Sequence, residues 1–254
     1  MSFFEIENLS LSFGGVKAVD AVSFKMNKGE VFTIVGPNGA GKSTIFNMIS
    51  SFYAPNEGHI RFKGDDITKA RADAIARIGI ARTFQNIELF EHSTVLQNLL
   101  IGREIHNHVP VLRQLLFDPG VRRAELEHRR KVEDVIDFLE LAHYRDERIA
   151  NLPYGVRKKI ELGRALCVEP ELLLLDEPAS GLNPEETEEM GFWIDDIKND
   201  LDISVLMIEH DMSLVNEVSD RVLALNNGRV IAEGNSQEVQ NHPDVVAAYL
   251  GGAA

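Results

Sequence analysis

Residues 36–44 read GPNGAGKST and fit the template of a phosphate-binding loop, which is glycine, four residues, then Gly-Lys-Ser/Thr. In such a loop Lys42 reaches the β and γ oxygens of the ligand, and the Ser43 hydroxyl can ligate Mg²⁺. The template functions only where a strand delivers the loop and a helix leaves it, because backbone N–H groups and the positive helix end must face one anion. The apolar run before it and the segment 43–50 after it meet both conditions. The predicted contacts are Gly36, Pro37, Asn38, Gly39, Ala40, Gly41, Lys42, Ser43 and Thr44.

Two carboxylates, Asp176 and Glu177, follow the apolar run 172–175. The carboxyl ends of parallel strands form the edge at which such sheets bind ligands. Asp176 can hold Mg²⁺ through water there, and Glu177 can accept a proton from an attacking water as general base. Together with the phosphate loop, this pair predicts hydrolysis of a nucleoside triphosphate. A guanine-specific switch protein is disfavoured because no Asn-Lys-x-Asp motif follows the loop.

The elements that position these residues alternate between strand-like and helix-like patterns. Predicted strands cover 4–13, 19–26, 30–35, 58–63, 171–176 and 203–208, and predicted helices cover 71–79, 185–200 and 212–218. The last two strands form a hairpin whose turn is Asn227-Gly228. Between 91 and 150 no strand-like run occurs, and apolar residues at three-to-four spacing predict a helical insert.

Composition limits the class of protein. The chain of 254 residues carries 26 Lys+Arg against 40 Asp+Glu, a formal charge of −14. This argues against nucleic acid as a partner, because neutralising its phosphates needs a basic face. One cysteine and a charged N-terminal segment predict an intracellular protein, and no apolar run has the roughly 20 residues of a spanning helix.

Together these motifs resemble the ATP-binding subunit of an ABC transporter, over nearly the whole chain. The resemblance implies an α/β fold: a P-loop NTPase (RecA-like) core with an N-terminal antiparallel β subdomain and an inserted α-helical subdomain. Residues 1–90 and 160–254 would form the nucleotide-binding core with the β subdomain, and 91–159 the helical subdomain. The implied cofactors are ATP and Mg²⁺.

The same resemblance assigns roles to three further residues. Phe13, before a glycine pair, matches an aromatic ring that stacks on adenine. Gln85, in ARTFQN, matches a glutamine that senses the γ-phosphate and the membrane subunit, and His210, in MIEHD, matches a histidine that touches the γ-phosphate. The implied catalytic residues are Glu177, His210, Gln85 and Lys42, and the implied metal ligands are Ser43, Gln85 and Asp176.

One motif departs from the family pattern. The family signature, Leu-Ser-Gly-Gly-Gln in typical members, aligns with Leu152, Pro153, Tyr154, Gly155 and Val156, of which only Leu152 and Gly155 match. In the usual arrangement the serine hydroxyl and glycine N–H groups donate to the γ-phosphate held by the opposite subunit. Because Pro153 has neither a hydroxyl nor an N–H, we expect a heterodimer with a second ATPase whose signature is intact.

The Tyr-Gly variant and the ending NHPDVVAAYLG are similar to one branch of the family, the ATPases of high-affinity branched-chain amino acid importers and their relatives. This branch implies transmembrane permease subunits, a second ATPase and, indirectly, an extracytoplasmic solute-binding protein, at the cytoplasmic face of the inner (cytoplasmic) membrane. The alternative is a cytosolic ABC ATPase that serves an assembly machinery such as iron–sulfur cluster scaffolding. The groove lined by about 85–104 discriminates the two, because only a transporter ATPase receives a membrane-subunit helix there. A chromosome-handling ABC protein is excluded, because the chain is too short for a long coiled coil or tandem domains.

Overall fold

The computed structural model describes residues 2–83, 87–106 and 119–250. Their strands are β1 Phe4–Phe13, β2 Val16–Met26, β3 Val31–Val35, β4 Glu57–Phe62, β5 Asp65–Asp66, β6 Ile80–Arg82, β7 Leu172–Asp176, β8 Ser204–Ile208, β9 Arg221–Asn226 and β10 Arg229–Gly234. One sheet, of order β2-β1-β4-β5, is antiparallel. The other has the order β10-β9-β3-β8-β7-β6, and all its strands run parallel except β10.

The helices flank the second sheet and supply the insert. They are α1 Lys42–Ile49, α2 Ala72–Arg77, α3 Val95–Arg103, α4 Pro119–Phe138, α5 Tyr154–Leu166, α6 Pro184–Asn199, α7 Met212–Val218, α8 Ser236–Gln240 and α9 Pro243–Leu250. Short 3-10 turns lie at Glu104–His106, Ala142–Tyr144 and Ile149–Asn151. Among the residues described, none of the helices combines the length and the apolar character needed to cross a bilayer.

The central strands β3, β8 and β7 of the second sheet are buried on both faces. All five residues of β7, including Asp176, are buried, and successive side chains of a strand point to opposite faces. Leu172 and Leu174 accordingly pack in the core shared with α1 and the antiparallel sheet, while Leu173 and Leu175 pack against the helices of the insert. Continuous apolar runs such as LLLL are what a parallel strand covered on both sides requires.

The predicted α/β fold with its antiparallel sheet and helical insert is confirmed. Asn227 (φ 47°) and Gly228 (φ 76°) form the predicted hairpin turn between β9 and β10. The second strand begins earlier than predicted, at Val16, and α2 is shorter than the predicted 71–79. Sequence reasoning did not predict α8 and α9, which are short helices after the last strand.

Helices α3, α4 and α5 share one apolar core with the sheet. Leu99 on α3, Ile136 on α4 and Leu162 on α5 belong to the same buried cluster as Leu173 and Met207 of the sheet. Within the described part of 91–150 the backbone forms no strand, only an isolated bridge between Thr94 and Arg148. The insert is therefore packed directly on the strands that carry the candidate site.

Candidate nucleotide-binding site

The carboxyl ends of three neighbouring strands bring the predicted residues to one edge of the sheet. Strand β3 leads into the phosphate loop, β7 ends at Asp176, and β8 ends two residues before His210. These strands lie side by side in the order β3-β8-β7. The Glu177 N–H donates to the Ile208 carbonyl at 2.9 Å, which ties the ends of β7 and β8 together. This edge is where open α/β sheets bind their ligands.

The phosphate loop encloses a cavity of about 400 Å³, lined by Ala18, the residues 38–44 and Glu177. Two of its glycines have positive φ and no room for a side chain. A Cβ at Gly36 (φ 151°) would lie 2.2 Å from the Leu225 carbonyl oxygen, and one at Gly41 (φ 103°) would lie 2.5 Å from that of Ala18. Only glycine fits both positions without displacing the neighbouring backbone.

Lys42, the first residue of α1, is buried at the base of this loop. Its Nζ donates to the carbonyl oxygens of Gly36 at 2.6 Å and Pro37 at 3.1 Å. Burial lowers the pKa of Lys42, while the charges of Glu177 and Asp176 act in the opposite direction. The carbonyl oxygens of Gly36 and Pro37 therefore hold the ammonium group of Lys42. The other seven predicted loop residues, 38–44, line the cavity.

Asp176 is paired with an arginine that sequence reasoning missed. Arg82 Nη2 donates to Asp176 Oδ2 at 2.7 Å, and Arg82 Nη1 donates to Asn47 Oδ1 at 2.8 Å. Burial raises the pKa of Asp176 despite the opposing charge of Arg82. The sequence signal for Arg82 is weak, because a charged residue at the end of a short strand is usually solvated.

Glu177 lines the cavity and lies next to His210. The His210 Nδ1 atom lies 3.9 Å from Glu177 Oε2, and the His210 side chain is 58% exposed. Beside them is the fully buried Glu209, whose carboxylate accepts N–H groups of Ala179 at 2.8 Å, His210 at 2.7 Å and Asp211 at 3.0 Å. Glu209, which sequence reasoning also missed, joins the backbone after Glu177 to the backbone of His210.

Phe13 and the signature residues are not among the residues that line this cavity, and neither are Asp176 and His210. The Phe13 ring is half exposed and meets Tyr53 edge-on, 5.2 Å between ring centroids, but Phe13 is not part of the cavity wall. Gln85 lies outside the described residues. The signature residues lie at the start of α5, where Pro153 is the N-cap and its side chain makes no capping hydrogen bond. Leu152 is buried there and Tyr154 is 45% exposed.

Two family models match this chain. Residues 19–180 match the ABC transporter model, and residues 229–254 match the model of the branched-chain amino acid ATP-binding cassette transporter. The second match covers the last strand and the two helices that follow it.

The curated relatives match over nearly their full length. The chain is 38% identical over 249 residues to the high-affinity branched-chain amino acid transport ATP-binding protein BraF of Pseudomonas aeruginosa, covering 98% of each chain. It is 38% identical over 248 residues to LivG of Escherichia coli, named in the same way, covering 98% of this chain and 97% of LivG. Neither relative is named for an assembly role.

Solved structures agree in fold. An ABC-transporter ATP-binding cassette in its ADP conformation is 36% identical with a TM-score of 0.87, covering 99% of both chains. A nucleotide-free cassette is 36% identical with a TM-score of 0.85, covering 98% of this chain and 99% of the other. The similarity therefore extends through the core, the antiparallel sheet and the helical insert.

Proposed function

The chain belongs to the ABC transporter family of ATP-binding cassettes, and from that membership we propose that it is the ATPase subunit that powers import of a branched-chain or related amino acid. The observation that carries the proposal is the sheet edge at which the phosphate loop, Asp176, Glu177 and His210 meet. The solute class is supported by the names of BraF and LivG and by the match at 229–254.

The residues present fit a magnesium ion. Asp176 Oδ1 is buried and makes no hydrogen bond within the described part of the chain, so one carboxylate oxygen remains for a ligand. The Ser43 residue is exposed in the cavity wall. We propose that Ser43, Asp176 and Gln85 hold Mg²⁺, which would neutralise charge on the phosphate oxygens. The described residues contain no cluster of three or more His, Cys, Asp or Glu side chains that could hold a metal ion.

The side chains of this chain would divide the hydrolysis between them. Lys42 places a positive charge against the β and γ phosphate oxygens, and Phe13 stacks on adenine. Glu177 accepts the proton of the attacking water. His210, beside Glu177, contacts the γ-phosphate, and Gln85 helps to orient the water. The His210 side chain is 58% exposed, so its ring can approach a ligand, while the backbone N–H is held by Glu209 and Nδ1 lies 3.7 Å from Glu209 Oε2.

A groove between the core and the insert is the proposed docking site for the permease. It has a volume of about 310 Å³, and its walls include Phe52, Ile75 on α2, Ile101 on α3, and Arg164 and Ala165 on α5. The walls are largely apolar and also carry the charged residues Arg82, Glu161 and Arg164. Such walls suit an amphipathic helix laid into a groove. Docking there would keep the chain peripheral, at the cytoplasmic face of the inner membrane.

The start of α5 is the proposed contact with a second ATPase. The N–H groups of its first turn have no side-chain cap, and Pro153 supplies no donor of its own. A partner with an intact signature would complete the cavity of this chain, whereas this chain would complete the partner's cavity poorly. We therefore propose a heterodimer, with an extracytoplasmic solute-binding protein acting through the permease.

Uptake measurements in living cells test the proposal. Cells whose only copy of the gene encodes either the wild-type chain or the Lys42→Ala variant are supplied with labelled leucine, isoleucine or valine at low concentration. We expect the variant to lose high-affinity uptake of at least one of the three and to keep uptake of labelled lysine as a control. Equal uptake of all three by both strains contradicts the assigned solute class. Copurification with permease subunits checks the membrane partner independently.

A further inference from the structure

The start of α5 and the turn that follows Glu177, residues 178–183, interlock through a glycine in each segment. The Tyr154 hydroxyl donates to the Ser180 carbonyl at 3.1 Å. Its ring covers Gly181, where a Cβ would lie 2.9 Å from Tyr154 Cε1. In return, a Cβ at Gly155 would lie 2.4 Å from Glu186 Oε1. The turn lacks a side chain where the Tyr154 ring lies, and α5 lacks one where Glu186, in the first turn of α6, lies.

Further contacts continue this interface along α5 and α6. Lys159 Nζ lies 2.7 Å from Glu189 Oε1, and the same ammonium lies 5.3 Å from the centroid of the Trp193 ring. Glu186 itself is fixed, because its carboxylate accepts the Asn183 N–H at 3.0 Å in a reciprocal capping box. The hydrogen bond from Tyr154 to Ser180 is therefore supported by α5 and α6, which contact each other over more than one helical turn.

Glu177 immediately precedes the turn, and its backbone is in the left-handed region at φ 52°. A residue other than glycine keeps this left-handed conformation only where surrounding contacts stabilise it. Those contacts include the Glu177 N–H to the Ile208 carbonyl at 2.9 Å, the Ser180 N–H to the Glu177 carbonyl at 3.1 Å and the Ala179 N–H to Glu209 at 2.8 Å. Glu209 thus holds the beginning of the turn, and Tyr154 holds its middle.

We propose that Tyr154 is a positioning residue for ATP hydrolysis: by holding the turn 178–183 it keeps Glu177 in the backbone conformation that presents its carboxylate to the cavity. This inference rests on the proposed function, because it takes Glu177 as the general base. Tyr154, which replaces the small signature residue of typical members, then has a positioning role within its own chain. Burial, followed by the charge of Glu161, raises the pKa of Tyr154, so its hydroxyl stays protonated and donates at neutral pH.

The test compares Tyr154→Phe, Tyr154→Ser and Phe192→Ser in the full chain. Phe192 is a matched control because its ring is also exposed on this helix pair, roughly 12 Å along α6 from Pro184. Amide hydrogen exchange of the turn is measured on the isolated chain, with MgATP affinity. The kcat and KM for ATP are measured in the assembled transporter.

We expect Tyr154→Ser to speed exchange in the turn and to lower kcat roughly tenfold or more, while KM and MgATP affinity stay unchanged. Tyr154→Phe keeps the ring on Gly181 and loses one neutral hydrogen bond, so kcat should fall about threefold. Phe192→Ser should change neither quantity.

Three results would overturn the inference: unchanged exchange in Tyr154→Ser, faster exchange with wild-type kcat, or a loss of MgATP affinity that parallels the loss of kcat. A wild-type chain that neither binds nor hydrolyses ATP refutes the proposed function instead. The exchange data still decide in that case whether Tyr154 holds the turn, because they need no nucleotide.

Discussion

Arg82 and Asp176 form a buried ion pair at the ends of two neighbouring strands, with Arg82 Nη2 2.7 Å from Asp176 Oδ2. Their side chains are 10% and 4% exposed. Strands β6 and β7 pair in parallel, so the pair joins the strand that leads toward Gln85 to the strand that carries the proposed metal ligand. The negative charge of Asp176 is thus balanced by Arg82, a residue that belongs to no local sequence motif.

Arg82→Met should destabilise the fold strongly. Removing the guanidinium leaves the Asp176 carboxylate buried without this cation, a change that typically costs about 3–5 kcal/mol. Urea unfolding of the isolated chain measures the loss, and adding Asp176→Asn should recover part of it. Arg71→Met is the control, because the Arg71–Asp73 pair is 88% and 57% exposed and should contribute at most about 1 kcal/mol. Equal effects of the two arginine changes would contradict the importance of the buried pair.

Lys42→Ala should weaken nucleotide binding. The change removes a charge-assisted contact worth roughly 1.5–3 kcal/mol, which corresponds to a Kd for MgATP about 10- to 100-fold higher. Titration of the isolated chain with a fluorescent nucleotide measures it. Lys63→Ala removes a lysine that pairs with Glu171, at the amino end of β7 and so at the opposite edge from the cavity, and should leave the Kd unchanged. An unaltered Kd in Lys42→Ala would refute the assignment of the loop.

Glu177→Gln should separate binding from chemistry. The amide keeps the shape of the side chain but cannot act as a base, so turnover should fall about 10²- to 10⁴-fold while the Kd for MgATP persists. The neighbouring change Glu209→Gln should behave differently. Glu209 accepts three backbone N–H groups while fully buried, and an amide nitrogen facing one of them costs roughly 1–3 kcal/mol of stability. Wild-type turnover in Glu177→Gln would exclude it as the base.

The sequence predicts the site where a motif is local and misses it where the partner is distant. The phosphate loop, Asp176, Glu177 and His210 each follow a recognisable strand, and parallel strands end at one edge, so their meeting follows from the pattern. Arg82 stands 94 positions before Asp176, and no spacing rule joins them. Helix α8 was overlooked although Asn235 and Glu238 form a capping box, a short-range signal that the sequence does contain.

Glu169 should make stability depend on pH in the acid range. Burial alone would raise the pKa of Glu169, but hydrogen bonds from Lys131 and Arg103 outweigh it and lower the pKa to about 2. A lowered carboxyl pKa stabilises the fold above its unfolded value of 4.5, and this contribution is lost as the pH falls toward 2. Because Glu169 is 44% exposed, Glu169→Gln should cost only about 1 kcal/mol at pH 7.

Urea unfolding between pH 7 and pH 3 should show the difference between wild type and Glu169→Gln narrowing below about pH 4.5. Glu125→Gln, on the exposed part of α4, is the control. A difference that stays constant over the whole range would mean that the two ion pairs contribute nothing to stability.

The degenerate signature predicts that the purified chain alone hydrolyses ATP slowly. In a homodimer both cavities would face Pro153, which lacks the serine hydroxyl, and a missing donor of this kind costs roughly 2.7–4 kcal/mol in turnover, or about 10²- to 10³-fold. Brisk hydrolysis by the wild-type chain alone, or a native complex with two copies of it and no second ATPase, would contradict the heterodimer.

Pro153→Ser tests the cause directly. The substitution returns a hydroxyl at the N-cap of α5, where serine also caps the first turn and adds about 1 kcal/mol of stability. Turnover by the lone chain should rise if the missing donor is the limit, and stay flat if the geometry of the partner is. Adding Tyr154→Gly brings the motif closer to the family pattern but removes the contacts to Ser180 and Gly181, so the double variant should turn over ATP more slowly than Pro153→Ser alone. A double variant faster than Pro153→Ser would show that the tyrosine obstructs the partner's nucleotide more than it supports Glu177.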